Sequence, residues 1–205
     1  MGRPLTIGLT GGIAAGKSEA LAAFDRLGAE TVSSDAIVHE LLDAEPLLGR
    51  LVERFGEDVA PDGRVDRGRI GELVFADPEQ LAWLEAEVHP LVGRRIGEWL
   101  EALPEGTRVA VIEVPLLFES EMQDSFDTTV AVLAGDELRR ERAGERDHAL
   151  VDERESRQLR QEEKAARADH VIRNDGSVDD LEAALSRLLE ELGIRARRGA
   201  DPLQS

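Results

Sequence analysis

The chain has 205 residues, 25 of them Lys or Arg and 43 Asp or Glu, for a formal charge of −18. Such an acidic surface repels a nucleic-acid backbone, and 3% aromatic residues leave little to stack bases on, which excludes nucleic acid as a partner. With no cysteine, disulfides, thiolate metal sites and thiol nucleophiles are excluded as well.

In chain order, residues 5–10 form a short apolar run that predicts a buried parallel strand. Residues 11–18 are a glycine-rich turn. Ala20, Leu21, Phe24 and Leu27 recur at helical spacing, and Gly28 stops that helix. A second short strand is predicted at 31–33, followed by a helix through Leu42 that Ser34 or Asp35 would cap. Strand, helix, strand, helix in this order indicates an α/β fold with a parallel sheet.

Residues 46–103 carry helical stripes and no convincing strand. The last stripe, from Leu81 to Leu100, is expected to kink or split at Pro90. Strands return at 108–114 and 128–133, and a last one is predicted at 170–173. Residues 136–167 are highly charged and read as helical, 178–192 as an amphipathic helix, and 195–205 as a frayed tail. The expected layout is one domain. Its core lies at about 1–34, 106–135 and 168–194, with a helical insertion at about 35–105 and a lid at about 136–167. No cationic and apolar leader and no membrane-length apolar run is seen, so a cytoplasmic protein with no membrane partner is expected, as a monomer or small homo-oligomer.

The turn Gly11-Gly12-Ile13-Ala14-Ala15-Gly16-Lys17-Ser18 fits G-x-x-x-x-G-K-[ST] between a predicted strand and a predicted helix. This spacing lets successive backbone N–H groups point inward at phosphate oxygens, and the following helix adds its positive N-terminal dipole. Lys17 would reach the β- and γ-phosphates, and Ser18 would ligate Mg²⁺. Lysine occurs only here and at position 164. A guanine-reading N-K-x-D segment is absent, because the single asparagine, Asn174, precedes Asp175-Gly176. The remaining class at this length is a small kinase.

Further ordered motifs resemble the dephospho-coenzyme A kinase family. They are Leu9-Thr10-Gly11-Gly12-Ile13, Ser33-Ser34-Asp35-Ala36, His89-Pro90-Leu91-Val92, Glu113-Val114-Pro115-Leu116-Leu117-Phe118-Glu119, Arg142-x-x-x-Arg146-Asp147 and Ile172-x-Asn174-x-Gly176. The resemblance implies a three-layer P-loop NTPase fold with about five parallel strands, a helical acceptor-binding insertion and a lid. It implies transfer of the γ-phosphate of ATP, with Mg²⁺, to the 3′-hydroxyl of dephospho-coenzyme A. The alternatives are another small-molecule or nucleoside monophosphate kinase, or a non-catalytic nucleotide switch. The pattern is not followed everywhere. Ala14-Ala15 stand where the family has Gly-Ser; both are small, so the loop's fold should survive if those positions keep φ below zero. Glu19 replaces the usual Thr, and Ser33 the first acid of D-A-D.

The resemblance assigns candidate roles. Gly12, Ile13, Ala14, Ala15, Gly16, Lys17, Ser18 and Glu19 would hold the nucleotide. Asp35 would be the general base toward the acceptor hydroxyl, with helix capping as its alternative. Arg142 would stabilise the transferring phosphoryl group, and Arg146, one helical turn on, would touch substrate. Glu113, with Ser18, would hold the metal, unless it is a plain strand-end carboxylate. His89 and Leu116 are acceptor-side candidates, His89 with a structural hydrogen bond as its alternative. Asn174 would either line the nucleotide site or cap a turn before Gly176, the turn being preferred. Arg139 reads as a surface residue.

Overall fold

The computed structural model describes residues 2–144 and 158–194. Five strands form one parallel sheet: β1 (Leu5–Gly11), β2 (Glu30–Ser33), β3 (Val109–Glu113), β4 (Thr128–Leu133) and β5 (His170–Arg173), in the order β2-β3-β1-β4-β5. β1, β3 and β4 are short, largely apolar runs, whereas β2 and β5 carry polar residues at their ends. Every residue of β3 and β4 is buried, as a sheet covered on both faces requires. Helix α1 (Lys17–Arg26) packs against the sheet and against the last helix. Ile7, Leu9, Phe24, Val111, Val130 and Leu185 belong to the single core cluster beneath them.

The chain divides into two compact units, 1–33 with 104–205 and 34–103. The first holds the sheet, α1, α6 (Asp136–Gly144), α7 (Gln161–Arg167) and α8 (Val178–Glu191). Helix α8 starts with a reciprocal cap: Ser177 Oγ accepts from the Asp180 amide, and the Asp180 carboxylate accepts from the Ser177 amide. Helix α7 contacts β1 and β4. With α1 and α8 also packed on the sheet or on each other, the result is the three-layer α/β arrangement of a P-loop NTPase.

The second unit is helical: α2 (Ser34–Leu42), α3 (Leu47–Phe55), α4 (Arg67–Phe75) and α5 (Pro78–Glu101). Asp77 caps α5 by accepting from the Glu79 amide, and Pro78 occupies the first turn, where its missing N–H costs nothing. Of the kink or split expected at Pro90, the split does not occur: α5 runs unbroken for 24 residues through it. The i−4 residue, Ala86, is exposed, so water can serve the carbonyl that Pro90 leaves unpaired. Phe55 meets the Trp83 ring edge-on at 5.6 Å, and the Arg54 guanidinium lies 4.6 Å from the same ring.

In a parallel sheet all carboxyl ends share one edge, where ligands bind in open α/β folds. Register brings Leu9 of β1 level with Glu113 of β3, and Glu113 level with Ser33 of β2. It brings Gly11 level with Val132 of β4, and Leu133 level with Arg173 of β5. The ends of β1, β3, β4 and β5 therefore converge on residues 11–18.

Candidate active site

β1 runs straight into the phosphate loop. At Gly11 a Cβ would lie 2.3 Å from the Val132 carbonyl oxygen, so only glycine permits this approach of β1 to β4. Gly16 has φ of +92°, the left-handed region, and turns the chain into α1. The Ala15 amide donates to the Gly12 carbonyl at 3.2 Å, which closes the loop on itself. Lys17 Nζ donates to the carbonyls of Gly11 and Gly12 at 3.2 and 3.0 Å. Its ammonium thus reaches back across the start of the loop.

At Ala14 the condition of a negative φ is not met. Its φ is +58°, a left-handed conformation that L-residues avoid because Cβ crowds the carbonyl. The turn needs this geometry at position 14 whatever the side chain, and a methyl is small enough to tolerate it. Ala15, by contrast, is absent from the positive-φ positions.

A cleft of about 550 Å³ opens beside the loop, lined among others by Gly16, Lys17, Ser18, Glu113, Arg142 and Asn174. Glu113 is buried at the end of β3. Arg142, on α6, has Nη1 buried with no hydrogen-bond partner among the described residues, and that atom lies 3.6 Å from where a Gly16 Cβ would stand. A buried donor without an acceptor is costly. Beside loop amides and a lysine, it marks a place where an anion's oxygens complete the bonding. Ser18 is exposed on the first turn of α1, and the Glu19 carboxylate is taken up by Arg26 at 3.0 Å.

The chain as a whole is similar to known proteins. A family profile described as dephospho-CoA kinase matches residues 5–180. A dephospho-CoA kinase from Thermobifida fusca is 38% identical over 196 residues, covering 93% of this chain and 98% of the relative. One from Bacillus licheniformis is 40% identical, covering 91% and 96%. A crystal structure from Thermus thermophilus superposes with a TM-score of 0.80 at 36% identity, covering 93% of this chain and 99% of that one. The chain belongs to the dephospho-CoA kinase family.

Other candidate residues of this dephospho-CoA kinase family member are placed as follows. Asp35 is exposed in the first turn of α2, which begins directly after β2. The helix starts one residue earlier, at Ser34, so Asp35 is not its N-cap, and its carboxylate has no hydrogen bond among the described residues. Leu116 is half-buried in the turn after β3, where its carbonyl accepts from the Ser120 amide. His89 is exposed on α5, with no hydrogen bond among the described residues. Arg146 and the tail at 195–205 lie outside the described residues, as does much of the expected lid.

Asn174 does not cap a turn. It is buried, and its Nδ2 donates to the Ala15 carbonyl at 2.9 Å while its backbone amide donates to Leu133. Arg139 is not a plain surface residue either. Its Nε donates to the Ile13 carbonyl at 2.9 Å, and its Nη1 pairs with Asp136 at 3.3 Å. Gln161, passed over in the sequence, is buried and bonds both the amide and the carbonyl of Ala134, at 3.3 and 3.0 Å. It fixes α7 to the end of β4 beside Gly12, whose Cβ position lies 3.2 Å from the Gln161 Cβ. A buried side-chain amide that serves both backbone groups of one residue has no signature in spacing or composition. The lone Asn174 and its place just after β5 were visible, but its partner was not.

Proposed function

We propose that this chain transfers the γ-phosphoryl group of ATP to the 3′-hydroxyl of dephospho-coenzyme A, releasing coenzyme A and ADP. The observation that carries the reading is the near-full-length family match, anchored on an intact phosphate loop at the end of β1. The loop amides, the N-terminus of α1 and the Lys17 ammonium bind and orient the β- and γ-phosphates. Arg142, with its unpartnered Nη1, lies against the charge that spreads over the phosphoryl oxygens as the bond to ADP breaks. Asp35 takes the proton of the 3′-hydroxyl as its oxygen bonds to phosphorus.

The donor set suits Mg²⁺, which favours oxygen ligands and is held by one or two protein groups together with substrate phosphates and water. The Ser18 hydroxyl and the Glu113 carboxylate line the same cleft. Bound there, the ion would neutralise charge between the β- and γ-phosphates.

An acceptor panel with Mg²⁺ and ATP tests the reaction. Phosphorylation of dephospho-coenzyme A in preference to nucleosides and nucleoside monophosphates is expected, and preference for any of those refutes the assignment. Asp35→Asn should retain ATP binding and lose most turnover. Single-turnover transfer at a near-normal rate in that variant would sink the base role.

A further inference from the structure

The second of the two lysines, Lys164, lies in the middle of α7 with no solvent exposure at all. An ammonium is rarely buried so completely unless it is paired. Its Nζ is 3.0 Å from Glu119 Oε1 and donates as well to the Pro115 carbonyl. Burial lowers the basicity of this lysine, while the Glu119 carboxylate opposes the shift. That carbonyl and that carboxylate make two more bonds. Thr10 Oγ1 donates to the Pro115 carbonyl at 3.2 Å, and the Leu159 amide donates to Glu119 Oε1 at 2.8 Å.

The ends of these bonds sit at telling places. Thr10 immediately precedes the phosphate loop. Pro115 is two residues beyond Glu113. Leu159 lines a second cleft of about 320 Å³ with Gly12, Ile13 and Arg139. The buried ion pair therefore ties the segment just beyond the Glu113 strand end to the segment that leads into α7, and the Pro115 carbonyl that Lys164 bonds is held separately by Thr10 of the strand that feeds the loop. A purely stabilising contact gains nothing from joining these three. Apolar residues of similar volume would fill the space at no greater cost.

We propose that the Lys164–Glu119 pair is a positioning device for phosphoryl transfer, holding the Glu113 strand end and the 158–160 segment in register with the phosphate loop. The proposal rests on the kinase reading above. It assigns the pair to orientation and not to contact with substrate. Losing the register misplaces groups around the phosphates by a fraction of an ångström, which lowers kcat more than it weakens ATP binding.

The test replaces the pair by Lys164→Met with Glu119→Met. The thermal midpoint should stay within about 5 °C of the parent. kcat should fall about ten- to a hundredfold with KM for ATP changed less than about threefold. Amide hydrogen exchange at 158–160 should quicken, because Leu159 loses its acceptor. Should the methionine pair fail to fold, Lys164→Met with Glu119→Gln keeps an acceptor for Leu159 and is read by kcat in the same way. Near-parental kcat in a folded double variant overturns the proposal, as does unchanged exchange at 158–160 in the methionine pair. If the unaltered chain does not turn over dephospho-coenzyme A, the kinase reading fails instead, and exchange at 158–160 still decides whether the pair holds that segment.

Discussion

The Asn174 side-chain amide donates to the Ala15 carbonyl 159 positions earlier in the chain, and it fills the space where a Cβ on Gly16 would stand. The residue after β5 therefore buttresses the apex of the phosphate loop from behind. This orients the peptide between Ala15 and Gly16 so that its N–H faces away from Asn174. Removing the amide in Asn174→Ala should raise the dissociation constant for ATP about tenfold, matching one lost buried hydrogen bond of about 1 kcal/mol or slightly more. Asn174→Asp should be worse, since it sets a carboxylate against a carbonyl and adds negative charge near the phosphates. Titration calorimetry with ATP separates the two, and a tighter-binding Asp variant would contradict the buttress.

Ala14 holds a left-handed turn at φ +58°. Glycine adopts that conformation freely, and its greater freedom in the unfolded chain offsets only part of the relief. Ala14→Gly is expected to stabilise the protein by about 0.5–1 kcal/mol. The thermal midpoint should rise by about 1–4 °C. A fall in the midpoint would show that the strain is relieved in some other way.

Arg142 brings to the loop a buried nitrogen with no partner among the described residues, whereas Arg139 is already spent on the Ile13 carbonyl. Arg142→Ala should lower kcat by about a hundred- to a thousandfold with little change in ATP affinity. Arg142→Lys should recover less than half of that loss on a logarithmic scale, because a point charge does not reproduce the planar fork. Steady-state kinetics at saturating ATP reads both.

Two acids secure the sheet at β1 and β4. The Arg3 guanidinium, followed by bonds from Thr6, holds the Asp127 carboxyl below its usual value of 3.8, and hydroxyl and amide bonds from Thr129 do the same for Asp169. Both groups bind fewer protons folded than unfolded. Their contribution is therefore present above about pH 4 and is lost as pH falls through the lowered folded values. Asp127→Asn and Asp169→Asn should each destabilise at pH 7, and the difference from the parent should shrink steadily below pH 4. Urea midpoints at pH 7 and pH 3 check this, and a penalty that grows on acidification would contradict it.

The phosphate loop was legible because its chemistry is contiguous. Eight neighbouring residues carry the turn, the charge and the hydroxyl, and the backbone does the rest. β4 was legible to the residue, since a short apolar run between charged stretches leaves one register for a covered strand, and β5 matches its expected bounds although only Ile172 in it is buried. Pro90 does not split α5, because the cost of a proline depends on whether water can reach the carbonyl it abandons, and exposure is not a local property. Arg139 misled because it sits among acids on a charged helix, yet its guanidinium turns inward to Ile13.

Composition and pattern were enough for the parallel sheet, the nucleotide loop and the excess of acid that leaves few cations to choose among. Periodicity reports how each segment divides itself between apolar and polar surroundings, and that is a short-range matter. It does not report which polar atoms face each other once the segments pack. Asn174 on Ala15, Arg139 on Ile13 and Lys164 on Glu119 join positions 159, 126 and 45 residues apart. Each is a buried or half-buried polar group that folding must satisfy, and only the assembled sheet and helices settle which partner it finds. The acidic exterior and the cation-lined loop are thus written along the chain, while the bonds that hold the loop in shape arise from packing.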